Sequence, residues 1–161
     1  MKVFLALVVV VALVLASINS FWPQITGSFA TQENPPITEF VGTKVVTKVI
    51  DGDTVISEGE SIRLLSIDTD ERGYPCYTSA KKRLEELVLG KEVWLEADAE
   101  DKDQYGRYLR YVFLNGTNVN LEMVQEGLAV ARFSPENTKY KAEILEAETA
   151  ARQAGTGCKW A

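Results

Sequence analysis

Between Gly42 and Ile67 β-branched residues dominate and turn pairs recur, so this stretch is built to pair as short antiparallel strands. Thr43 to Ile50 is followed by Asp51-Gly52, Thr54 to Ile56 by Glu58-Gly59-Glu60, and Ile62 to Ile67 completes a three-stranded meander. The period then changes. Ala80, Leu84, Leu87 and Val88 fall at helical spacing between Ser79 and Val88, with Thr78 or Ser79 as N-cap and Gly90 just past the end. Glu92 to Leu95 and Tyr108 to Phe113 read as two more strands, the second leading into the tight-turn pair Asn115-Gly116. Asn118 caps a helix from Val119 to Glu126 that Gly127 ends, and a last helix runs from about Thr138 to Ala154, stopped by Gly155.

Short strands with one inserted helix and two trailing ones predict an α+β domain. Three strands, a helix and two more strands is also the order of an OB-type barrel, though order alone does not fix that fold. The 161 residues suffice for one such domain with its own core and a short appendage. A formal charge of −6 argues against a protein that coats DNA by neutralising many phosphates, so any polyanion must meet a local positive patch or a bound cation. Histidine is absent, which excludes Ser-His-Asp and Cys-His hydrolases and histidine-ligated zinc. Proton transfer falls to carboxylates, lysine or tyrosine.

The appendage is an apolar run from Val3 to Ala16 behind Lys2, followed by Ser17-Ile18-Asn19-Ser20. Residues 1–20 read as a secretory signal peptide or, if retained, an N-terminal anchor that recruits residues up to Trp22 as a membrane tether through residues 3–22. Residues 21–40 carry Pro23, Gly27, Pro35 and Pro36 without sustained periodicity and read as a flexible linker, which leaves 41–161 as the domain. Either fate of the leader places the domain outside the cytoplasmic membrane, secreted or anchored. In an exported chain the only cysteines, Cys76 and Cys158, read as a disulfide rather than a metal cage or nucleophile.

Three charged segments stand apart: Asp51-Gly52-Asp53-Thr54, then Arg63-Leu64-Leu65-Ser66-Ile67-Asp68-Thr69-Asp70-Glu71, then Asp103-Gln104-Tyr105-Gly106-Arg107. Strand parity puts Arg63 with Leu65 and Ile67 and puts Asp68 with Leu64 and Ser66, so Arg63 is a cation inside a core-like run. A buried guanidinium requires a carboxylate partner or an anionic ligand. Asp51 and Asp53 flank a glycine and can aim into one concavity as hard oxygen ligands for Ca²⁺ or Mg²⁺, although the same tripeptide is also a common turn. Asp101 to Gly106 begins like a calcium loop, but Val112 stands where an EF-hand needs glutamate, so it reads as a solvated acidic turn leading to Arg107. Asn115-Gly116-Thr117 matches a glycosylation sequon and equally a hairpin turn.

In this order and spacing the three segments resemble the staphylococcal nuclease family, and the similarity runs from about Val41 to Cys158-Lys159-Trp160, including Val119-Asn120 and Gln125-Glu126-Gly127-Leu128-Ala129. The resemblance implies an OB-type five-stranded β-barrel with three α-helices and calcium-dependent hydrolysis of DNA or RNA phosphodiesters. By it, Asp53 and Asp68 match calcium-ligating carboxylates, the Thr69 carbonyl joins them, and Asp51 lies one layer farther from the ion. Glu71 matches the general base for the attacking water, and Arg63 and Arg107 match the two arginines on the scissile phosphate. Nucleic acid is then the partner, and no protein partner is implied. The alternative, a non-catalytic module of the same barrel that binds nucleic acid or protein, would be favoured by loss of the base or an arginine; all three are present.

A phosphodiester gains negative charge as water attacks, so a divalent cation and two guanidinium forks stabilise the transition state beyond the ground state. Four departures from the family pattern stand out. Asp70 replaces a frequent proline and is expected to tighten calcium binding or disturb Glu71. Gln104 replaces a lysine. Arg72 to Tyr77 is short where the best-known member has a long loop. Val130-Ala131-Arg132-Phe133-Ser134 lacks a pair of tyrosines, which leaves Tyr105, Tyr108 and Phe133 as candidates to stack on a base or to pack the core.

Overall fold

A computed structural model describes residues 40–161; the expected leader and all but the last residue of the expected linker lie outside the described residues. The strands are β1 (Gly42–Val49), β2 (Thr54–Ser57), β3 (Glu60–Leu64), β4 (Ile67–Asp68), β5 (Glu92–Glu96), β6 (Tyr108–Leu114), β7 (Thr117–Asn118) and β8 (Val130–Ala131). The helices are α1 (Tyr77–Val88), α2 (Val119–Gln125), α3 (Lys141–Ala154) and a single turn, α4 (Gly157–Trp160). Strands pair in the order β3-β2-β1-β5-β6, and β3 also pairs with β6 in parallel, so five strands close into a barrel. Closure leaves no free barrel edge, and Val46, Val55, Ile62, Leu95 and Val112 are fully buried core residues of its strands.

The expected five-stranded α+β barrel with three helices is present, with the short α4 and the two-residue strands β4, β7 and β8 added. Local boundaries moved for identifiable reasons. The third strand does not run to Ile67: Ser66 adopts φ 66°, which ends β3 at Leu64 and starts β4 in a new direction. The parity that grouped Arg63 with Ile67 and separated it from Asp68 therefore fails beyond Leu64. Helix α1 starts at Tyr77 rather than Ser79, behind Cys76, and neither Thr78 nor Ser79 caps it. Asn118 does cap α2, its side chain accepting from the Leu121 N–H, and Gly155 ends α3 at φ 60° as expected, although α3 begins at Lys141. Asn115 (φ 51°) and Gly116 (φ 84°) form the turn between β6 and β7.

Two buried polar side chains hold the parts that carry the candidate site. Asn120 on α2 accepts from the Val112 N–H at 2.9 Å and donates to the Leu65 carbonyl at 2.8 Å, which fixes α2 and the bend after β3 to β6. Arg110 on β6, fully buried, donates to the carbonyls of Phe40 (2.9 Å), Asp101 (3.1 Å) and Leu109 (2.7 Å) and pairs with the Asp101 carboxylate. Asp101 thus belongs to a half-buried ion pair rather than to a solvated turn. Phe40, last residue of the expected linker, already stacks on Tyr108 with ring centroids 4.8 Å apart.

Cys76 and Cys158 are bonded, joining the start of α1 to α4 across 82 positions. Replacing both cysteines by serine is expected to lower stability by ~2–4 kcal/mol in urea unfolding, since a long loop regains freedom in the unfolded chain. Replacement of Arg110 by Met should cost ~3–5 kcal/mol in the same assay, because it strands the Asp101 carboxylate and three carbonyls.

Candidate active site

The turn between β1 and β2 places the first carboxylates. Asp53 donates its N–H to Asp51 Oδ1 at 3.1 Å, a local ring that sets the turn. Gly52 is required there by space: a Cβ would stand 2.7 Å from Ala80 Cβ and 2.8 Å from Thr69 Oγ1. That close approach brings Asp53 beside the segment after β4. Asp53 Oδ2 accepts from both the N–H and the hydroxyl of Thr69 at 2.8 Å, and both residues are buried.

Arg63, on β3 opposite Thr54 of β2, lies between the two expected metal carboxylates. Its Nη1 pairs with Asp53 Oδ1 and its Nη2 donates to Asp68 Oδ1 at 2.8 Å. The turn at Ser66 makes the second contact possible, and the same Nη2 reaches the Ile67 carbonyl at 3.1 Å. Burial lowers the Arg63 pKa, the Asp68 carboxylate works against that, and the charge of Arg107 lowers it further. The two guanidinium groups therefore share one electrostatic neighbourhood.

Arg107 is aimed by Asp103, whose carboxylate accepts from Arg107 Nε at 2.7 Å and from its N–H at 3.0 Å. Burial of Asp103 is outweighed by these bonds and one from the Tyr105 N–H, and its pKa falls below the usual carboxylate value. The Asp-x-x-x-Arg spacing, with Gly106 at φ 80° between, carries that signal in the sequence. Arg107 Nη1 lies 3.5 Å from Thr54 Oγ1, which in turn donates to Asp53 Oδ1 at 3.2 Å. Arg63 and Arg107 line one cavity of about 390 Å³ together with Arg132, Phe133 and Asn137.

Arg132, in the segment where the resemblance implied a pair of tyrosines, places Nη1 3.4 Å from Asp68 Oδ2. Pairing of β8 with β4 carries it there. Of the aromatic candidates, Tyr108 is buried in the core, Phe133 packs partly against it, and Tyr105 is exposed with its ring 5.5 Å from the Arg107 guanidinium. Asp70 pairs with Lys159 and accepts from the Cys76 N–H at 2.9 Å. The hydrogen bond from Lys159 draws its pKa down. Glu71 is exposed, and among the described residues its carboxylate has no partner.

Asp51, Asp53, Arg63, Asp68, Thr69 and Arg107 thus form one connected network, with Glu71 beside it in the chain. Among the described residues no three acidic, cysteine or histidine side chains gather as a metal cage. The two-carboxylate set nevertheless fits a hard cation. Asp53 and Asp68 already converge on one positive group, the Arg63 guanidinium, each through a single oxygen, and the donors are oxygen alone.

These features define a class: an OB-type barrel with carboxylates and arginines gathered at one mouth of the sheet. Residues 61–161 match the family model described as staphylococcal nuclease homologue. The chain is 37% identical over 119 residues to a thermonuclease of Staphylococcus intermedius, covering 68% of this chain and 71% of that one. It is 34% identical over 118 residues to a thermonuclease of Staphylococcus hyicus, 67% and 70% of the two chains. Endonuclease YncB of Bacillus subtilis (strain 168) is 42% identical over 105 residues, 58% of this chain and 50% of that one. This chain belongs to the staphylococcal nuclease family.

The Gly52 contacts have a measurable consequence. Gly52→Ala is expected to cost ~1–3 kcal/mol in thermal or urea unfolding, because Ala80 lies on a packed helix and Thr69 is held by Asp53, so neither can give way freely.

Proposed function

We propose that this protein is a calcium-dependent nuclease that hydrolyses phosphodiester bonds of DNA, RNA or both, secreted or tethered to the outer face of the cytoplasmic membrane. The observation that carries the reading is the placement of Arg63 and Arg107 on one cavity while Arg63 is flanked by Asp53 and Asp68. Thermonuclease and endonuclease relatives support it. The apolar leader and the Cys76–Cys158 bridge support export.

Asp53, Asp68 and the Thr69 carbonyl would hold the calcium ion, with Asp51 behind them. When bound there, calcium supplies positive charge to the phosphate oxygens and offsets repulsion from an acidic protein. Arg63 and Arg107 donate to the non-bridging oxygens and fix the diester. Arg63 would exchange its contacts with Asp53 and Asp68 for the phosphate oxygens. Glu71, exposed and without a partner among the described residues, accepts a proton from the water that attacks phosphorus, the P–O bond to the leaving sugar oxygen breaks, and that oxygen takes up a proton from solvent; with no histidine in the chain a carboxylate is the base at hand. Arg107 stays oriented by Asp103 as charge builds on the equatorial oxygens.

Two measurements test this together. Digestion of single- and double-stranded DNA and RNA should stop in excess EGTA and return with added calcium. Glu71→Gln should lower kcat by ~10²–10⁴-fold while leaving the unfolding midpoint unchanged, as expected for an exposed general base. Full-rate cleavage without divalent ions would contradict the reading.

A further inference from the structure

Glu71 can work as a base only if its backbone is held, since its carboxylate has no partner among the described residues. Two residues before it in the fold's logic, Thr69 is tied to Asp53 through N–H and hydroxyl. Immediately before it, Asp70 is tied at both oxygens: one accepts from the Cys76 N–H at the head of α1, the other pairs with Lys159 of α4. This ion pair is largely shielded, with 18% and 17% of the two side chains exposed, so it is ordered more firmly than a surface pair.

The far end of the tie is itself immobilised. Lys159 donates its N–H to the Gly127 carbonyl at 3.0 Å, and its neighbour Cys158 is bonded to Cys76. Gly127 and Gly157 meet so closely that a Cβ on Gly157 would fall 2.1 Å from the Glu126 carbonyl oxygen. The end of α2, the turn α4 and the head of α1 are thus locked together, and Asp70 plugs into that lock. After Glu71 the chain turns at once, with Tyr74 N–H bonded to the Glu71 carbonyl at 3.1 Å.

We propose that Asp70 and Lys159 are positioning residues that set the place of Glu71 by anchoring its backbone to the disulfide-stapled C-terminal turn. This rests on the reading of Glu71 as the general base. In a chain with proline at position 70 the anchor could not form, because proline has no carboxylate to offer Lys159 and Cys76. Here the C-terminus becomes part of the catalytic scaffold, at a residue far along the chain from the active acid.

The test is a double-mutant cycle on the full chain with calcium present. Asp70→Asn and, separately, Lys159→Gln are expected to lower kcat by ~10–100-fold, as a displaced base would, with KM within about twofold of the parent. Lys159→Arg should retain most of the rate. In a Glu71→Gln background, Asp70→Asn should change kcat by less than about twofold, because its effect passes through the missing base. Equal loss in both backgrounds, or a lowered unfolding midpoint with kcat intact at the assay temperature, would overturn the proposal. Full activity of Glu71→Gln alone would instead overturn the assignment of the base, and the positioning role with it.

Discussion

The site depends on one arrangement: a guanidinium gripped by two carboxylates, Asp53 from the turn between β1 and β2 and Asp68 from β4. Arg63 could not be shielded on β3 without them, and Asp53 and Asp68 could not approach each other without a cation between. The barrel exists in the form it does partly to make that meeting geometric rather than occasional. The Gly52 turn delivers Asp53, the bend at Ser66 delivers Asp68, and Asn120 holds the bend to the barrel wall.

Charge across the whole molecule explains why such a device suits an acidic protein. With a net charge of −6 the surface offers a polyanion little general attraction. Binding must be local, and the cations around one cavity are Lys102 and the arginines Arg63, Arg107 and Arg132. Each arginine is also matched to an acid, Asp53 and Asp68 for Arg63, Asp103 for Arg107, Asp68 for Arg132. On the proposed function these pairs would orient the forks in advance and reduce the ordering needed to hold a phosphate.

Much of this was legible in the sequence, and the missing parts have physical causes. Strand and helix identity followed from the switch between β-branched runs and helical spacing, and the charged segments named most of the site. The break at Ser66 was not legible, because a positive φ at serine is a decision of tertiary packing rather than of residue type. Nor was the choice of the buried cation: Arg63 and Arg110 both sit in apolar strand runs, and only the barrel shows that Arg110 is the fully enclosed one. Asp101 and Asp103 read as part of a solvated acidic turn and Asp70 as a neighbour of the calcium carboxylates, yet each answers a particular cation brought near by folding. Charge partners distant in sequence, such as Asp70 and Lys159, leave no periodic trace.

The account is tested most directly by calorimetric titration of calcium into the protein with and without inorganic phosphate. It predicts a single ion per chain, binding that is lost in both Asp53→Asn and Asp68→Asn, and tighter binding when phosphate is present, since phosphate occupies the arginines the ion displaces. Unchanged calcium binding in either variant would contradict the convergence of the two carboxylates on one cation.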